Sequence, residues 1–113
     1  MIYKYLNIRY DSRYSKAIKT ESVIKLIEKI DCIQRKGKIQ FENKIEYPWL
    51  VLSLIKCNEK GNFSFNGGDY FEEINLIELI IVDNEESISK YQPIAKQIAK
   101  QIDWEVIDDH KDE

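Results

Sequence analysis

Two short apolar runs constrain this chain more than any other feature. Residues 74–82 place Ile74, Leu76, Ile77, Leu79, Ile80, Ile81 and Val82 around a single charge, Glu78. Residues 49–55, directly after Pro48, are apolar except for Ser53. Branched and aromatic side chains of this kind suit a pleated, packed surface, and both runs fall far short of the roughly 20 residues a membrane-spanning helix needs. The chain must therefore bury these runs in a sheet. The run at 49–55 is expected to be a central strand covered on both faces, with 74–82 as its neighbour.

The remaining segments supply partners for that sheet. Residues 2–10 alternate Ile2, Lys4, Leu6 and Ile8 with Tyr3, Tyr5, Asn7 and Arg9, the period of a strand with one buried face and one amphipathic, tyrosine-bearing face. Thr20 stands as an N-cap before Val23, Ile24, Ile27 and Ile30, which recur at helical spacing and predict a helix from about 20 to 30. Residues 32–41, basic at Arg35, Lys36 and Lys38, suit a twisted edge strand or a hairpin around Gly37. Turn-forming residues cluster at 58–62 and 66–69, with Phe63 and Phe65 alternating between them.

Residues 83–87 offer caps and first-turn acids for a second helix, in which Ile94, Ile98 and Ile102 recur every four residues with Ala95 and Ala99. Pro93 requires the regular helix to start close to it. Residues 104–108 then read as a final short strand. The expected fold class is a two-layer α/β (α+β) sandwich, with two helices on a mostly antiparallel sheet of about five strands in the order β-α-β-β-β-α-β. Its 113 residues form a single domain, 1–113, ending in a charged tail at about 109–113.

Composition narrows the functional classes. Hydrophobic residues make up 43% and charged residues 33%, the balance of an ordinary globular domain rather than a disordered one. The N-terminus has no basic segment followed by an apolar block, so a cytoplasmic location is expected. Cys32 and Cys57 form no ligand cluster and read as buried free thiols. Residues 1–44 carry 11 Lys and Arg against 5 Asp and Glu, whereas 45–113 carry 6 against 15, an asymmetry suited to a charged partner.

Chemistry is harder to place. The single histidine, His110, lies in the tail beside Asp108, Asp109 and Asp112, where neither a catalyst nor a metal would be held rigidly, and neither metal nor cofactor is expected. Glu78 is the most interesting carboxylate, because burial would raise its pKa, but a lone carboxylate without a partner makes no site; it is expected to face solvent or pair with a lysine such as Lys56. Residues 66–69 have neither the spacing nor the lysine of a phosphate-binding loop. Arg35, Lys36, Lys38 and Lys44 would suit phosphate and Tyr3, Tyr5 and Tyr10 would stack on bases, yet the net charge of −3 works against nucleic-acid binding.

Acidic residues gather instead around aromatics: Asp69, Glu72 and Glu73 with Tyr70 and Phe71, and Glu105, Asp108 and Asp109 with Trp104. Rings that bury area inside steering charge are the elements of a protein interface, so Asp69, Tyr70, Glu72, Glu73, Trp104, Glu105, Asp108 and Asp109 are the candidate partner-binding residues. Residues 93–109, with the Ile94-Ala95 and Ile98-Ala99 repeats running into Trp104, Val106 and Asp108, resemble the closing helix and strand of small bacterial immunity proteins, including those of contact-dependent inhibition systems. The resemblance implies a non-catalytic protein that binds and blocks a cognate toxin domain, often a nuclease with a basic cleft. A small-molecule-sensing domain is the alternative, and a small enzyme centred on Glu78 ranks third. A β-edge would equally add a strand to a partner or to a second copy.

Overall fold

A computed structural model describes residues 2–58 and 70–108. The elements run β1 (Tyr3–Arg9), β2 (Ile18–Lys19), α1 (Thr20–Ile27), β3 (Ile33–Arg35), β4 (Gln40–Asn43), β5 (Leu50–Ile55), β6 (Glu73–Ile74), β7 (Leu76–Val82), α2 (Glu85–Ile102) and β8 (Glu105–Asp108). Six strands form one sheet in the order β3-β4-β5-β7-β1-β8, with every neighbouring pair antiparallel. The two-residue strands β2 and β6 pair separately. The expected α+β class with two helices holds, and the basic segment, expected as an edge strand or a hairpin, is the hairpin of β3 and β4 around Gly37.

Strand β7 lies at the centre. Leu79 stands between Leu6 of β1 and Leu52 of β5, and Ile77 between Ile8 and Leu54, all six fully buried. Because side chains alternate along a strand, these residues share one face. Val23, Ile24 and Ile27 of α1 and Tyr91, Ala95, Ile98 and Ala99 of α2 join the same core. Strand β5 is thus packed by helices on one face only, where cover on both was expected; Val51 and Ile55 on the other face are half-buried.

The start of α1 differs from the sequence expectation, whereas α2 begins at the expected caps and acids but well ahead of Pro93. Lys19, not Thr20, is the N-cap of α1, and it makes no side-chain cap bond. Thr20 is fully buried, its hydroxyl donating to the Phe71 carbonyl and its N–H to the Glu72 carbonyl at 2.9 Å, so it joins the helix to the strand β6. In α2, Asn84 caps by accepting from the Ser87 N–H at 2.8 Å, and Pro93 sits well inside the helix. Pro93 lacks the N–H that would bond the Ser89 carbonyl, but both residues face solvent, where water replaces the bond. Asp103 ends α2 in the left-handed conformation (φ 62°), and the Trp104 N–H returns to the Ala99 carbonyl at 2.8 Å.

Three polar contacts fix the layers. The buried Lys4 ammonium pairs with Asp108 at 2.6 Å, tying the outermost strand to β1. The Tyr91 hydroxyl donates to the Pro48 carbonyl at 2.6 Å, tying α2 to the entry of β5. Asn75, 7% exposed, accepts from the Cys57 N–H at 2.7 Å and donates to the carbonyls of Cys57 at 2.8 Å and Tyr14 at 3.3 Å. Its amide thus does for Cys57 what a neighbouring strand would do. Asn75→Ala strands both Cys57 backbone groups and is expected to lower stability by about 2 to 4 kcal/mol in urea unfolding; a loss below about 0.5 kcal/mol would contradict this role.

Candidate functional site

The face of the sheet opposite the helices is graded from apolar to polar. In the first row Tyr3 stands opposite Val82, and Trp49 lies just before Leu50, which pairs with Ile81. The Tyr3 and Trp49 rings meet with centroids 5.2 Å apart. The second row is Tyr5, Ile80, Val51 and Glu42, and the third is Ile107, Asn7, Glu78, Ser53 and Gln40. Gln40 donates to the Ser53 hydroxyl at 3.1 Å.

The two ends of this face differ in cover. At the polar end the chain after β1 folds back: Arg9 donates to the Tyr14 hydroxyl at 3.0 Å with its guanidinium 5.4 Å from that ring, and Asn75 holds the Tyr14 carbonyl. Leu76 is buried there. At the apolar end Tyr3, Tyr5 and Trp49 remain 41%, 39% and 43% exposed, with Ile45 and Tyr47 exposed in the turn that precedes Trp49. The segments that adjoin that end in the chain carry Glu42, Lys44 and Glu46 on one side and Asp83, Glu85 and Glu86 on the other, and the Lys90 ammonium lies 4.8 Å over the Tyr47 ring.

The sheet edges are guarded by charge. Strand β8 carries Glu105 and Asp108, which would meet each other if two copies paired antiparallel there. At the end of β3, Arg35 folds back on the carbonyls of Gly37 at 2.9 Å and Lys38 at 2.8 Å, and Lys36 follows. Edges of this kind discourage strand addition. Among the described residues, Tyr3, Tyr5 and Trp49 stay exposed at the apolar end of the sheet face.

The residues singled out from sequence do not form one surface. Trp104 is 7% exposed and belongs to the core, so it is no interface anchor; its position after the left-handed Asp103 drives the ring inward. Asp108 is engaged by Lys4, while Glu105 is exposed on the edge strand. Tyr70, Glu72 and Glu73 lie beside β6 and the start of α1, where with Lys19, Glu21 and Lys56 they line a cavity of about 360 Å³. There the Tyr70 hydroxyl donates to Glu21 at 3.1 Å; desolvation first, then that bond, hold the phenol above its ordinary pKa. Asp69 and Asp109, and with them His110, lie outside the described residues.

Tyr3 and Tyr5 carried a signal in sequence, since alternation put them on one face of β1. Trp49 and Ile45 did not. Among the described residues no group of three or more His, Cys, Asp or Glu is placed to hold a metal ion, and no helix is long and apolar enough to cross a membrane. Glu78 is half-buried between Asn7 and Ser53. Its charge adds to burial in pushing the Cys57 thiol up to about 11, with Arg9 acting in the opposite direction. A thiol so protonated and so enclosed is a poor nucleophile.

Comparison with protein-family models, with curated proteins and with solved structures finds no match to this chain. The Ile94-Ala95 and Ile98-Ala99 repeats and Trp104 that carry the resemblance to immunity proteins lie largely in the core: Ala95, Ile98, Ala99 and Trp104 are buried. Native protein is expected to resist iodoacetamide at mildly alkaline pH at both cysteines and to label fully in concentrated urea; fast native labelling of Cys57, read by mass spectrometry, would contradict its placement.

Proposed function

We propose that this chain is a non-catalytic protein-binding module that binds and blocks a bacterial toxin domain, as do the small immunity proteins that residues 93–109 resemble. The observation that supports this reading is the bare end of the sheet face. Exposed aromatic rings beside Val51, Ile80 and Val82 offer buried area at small entropic cost, as interface centres do.

The acidic margin sets the partner's chemistry. Carboxylates in the segments that adjoin the apolar centre would attract Lys and Arg, so the partner is a basic protein surface such as a nuclease cleft, where the acids stand in for phosphates. The same margin repels a second copy of this chain docked face to face. Tyr70, Glu72 and Glu73 form a second, smaller acidic and aromatic patch, and the two patches are separable by mutation.

The test is co-purification of the tagged chain with the C-terminal domain encoded by the gene immediately upstream, at moderate salt. A one-to-one complex is expected. Tyr3→Ala with Trp49→Ala should weaken it by about 2 to 4 kcal/mol while leaving the melting temperature nearly unchanged. Glu85→Lys with Glu86→Lys should slow association, whereas Glu72→Lys with Glu73→Lys should not. No complex with a folded upstream domain would overturn the protein-binding reading. A rate change confined to the Glu72 and Glu73 variant would transfer the binding surface to that patch.

A further inference from the structure

The cavity of about 360 Å³ beside β6 and the start of α1 carries an inference that does not depend on the protein-binding reading. Its walls come from three segments: residues 19–21, Lys56 just after β5, and residues 70–73. Their backbones are fixed to one another. The Thr20 N–H and hydroxyl hold the carbonyls of Glu72 and Phe71, Ile18 and Lys19 pair with Ile74 and Glu73, and the Asn75 N–H bonds the Ile55 carbonyl at 3.1 Å, next to Lys56. The aromatic wall is held as well: the Tyr70 hydroxyl donates to Glu21 at 3.1 Å, and the half-buried Phe71 packs against the core.

The charges on these walls are of both signs. Lys19 and Glu73 stand directly opposite each other in the β2–β6 pair, and because Ile18 and Ile74 turn to the core, both charged side chains share the outer face. Lys56 and Glu72 add a second cation and a second carboxylate to the lining, while Glu21 is engaged by Tyr70. Among the described residues, neither Lys19 nor Lys56 closes an ion pair with Glu72 or Glu73. Charges of opposite sign thus stand apart around a cavity at the lower end of the roughly 300 to 1,000 Å³ that small-molecule sites occupy.

A ligand of one sign would bring its charge against like groups on these walls. A zwitterion finds a counter-charge for each end. An α-amino acid carries its ammonium and carboxylate on one carbon, so it needs a cation and an anion held side by side, which the register of Lys19 and Glu73 supplies. We propose that this cavity binds a free α-amino acid with an apolar or aromatic side chain, Lys19 meeting its carboxylate, Glu73 its ammonium, and the Tyr70 and Phe71 rings its side chain. Lys56 and Glu72 repeat the same pair of signs, which favours a neutral zwitterion over a molecule with net charge.

The experiment titrates the full chain, labelled with nitrogen-15, with L-phenylalanine and L-leucine up to about 10 mM and reads the backbone amide shifts. Saturable shifts centred on residues 19–21, 56 and 70–73 are expected, with a Kd for L-phenylalanine of about 1 mM or tighter. Phenethylamine, which lacks the carboxylate, and phenylacetate, which lacks the ammonium, should each bind about tenfold more weakly or worse. Lys19→Gln and Glu73→Gln, both at exposed positions and verified by thermal melts, should weaken L-phenylalanine by a similar factor. No saturable shift at these residues with either amino acid overturns the proposal. Equal binding of phenethylamine or phenylacetate, a comparison that needs no variant, or unaltered affinity in both variants overturns it too. The toxin-binding reading stands or falls separately, on complex formation.

Discussion

Strand β7 must find two partners that are distant in sequence, and the rest of the fold depends on that pairing. Its backbone is bonded on one side to β1, from the start of the chain, and on the other to β5. Only when both are in register do Leu6, Leu79 and Leu52 fall on one line, and a slip by one residue would turn every one of them to the opposite face. The helices then have a single apolar floor to cover. Lys4, at the end of the same face, is buried next to Ile81 and needs the Asp108 carboxylate, which is how the last strand is recruited to the edge.

Two helices are enough to cover one face of six strands and no more. The second face is left to residues that tolerate both water and contact: tyrosines, valines, a tryptophan and a polar row. The chain after β1 closes its polar end through Arg9, Tyr14 and Asn75. Among the described residues nothing comparable closes the apolar end, and the proposed docking of another protein rests on that exposure and on the charged strands at both edges. The proposed function thus follows from a shortage of helical cover on a sheet whose edges are protected.

Much of this architecture was legible in the residues. The nine positions ending at Val82 announced a core strand, Gly37 a hairpin, and the isoleucine stripes two one-faced helices. The sheet order was not, because nothing in residues 74–82 tells which distant strand lies on either side. Strands β2 and β6 were invisible for a related reason: two residues hold no period, and their pairing rests on Thr20 reaching the backbone at Phe71 and Glu72. Trp49 and Trp104 differ from the sequence expectation in opposite directions, the first exposed and the second buried. Each adjoins a strand without belonging to it, so strand periodicity said nothing of its side; the left-handed Asp103 buries one, and the turn clamped by Asn43 exposes the other.

On the proposed function, the aromatic end of the sheet face is open in the free protein and closed by the partner. Hydroxyl-radical footprinting with mass spectrometry reads both states on the unmodified chain. Tyr3, Ile45 and Trp49 are expected to oxidise readily when free and to be protected in the complex, with Trp104 protected in both. Protection of Trp49 in the free protein, or a complex whose footprint falls elsewhere and leaves these three residues reactive, would contradict it.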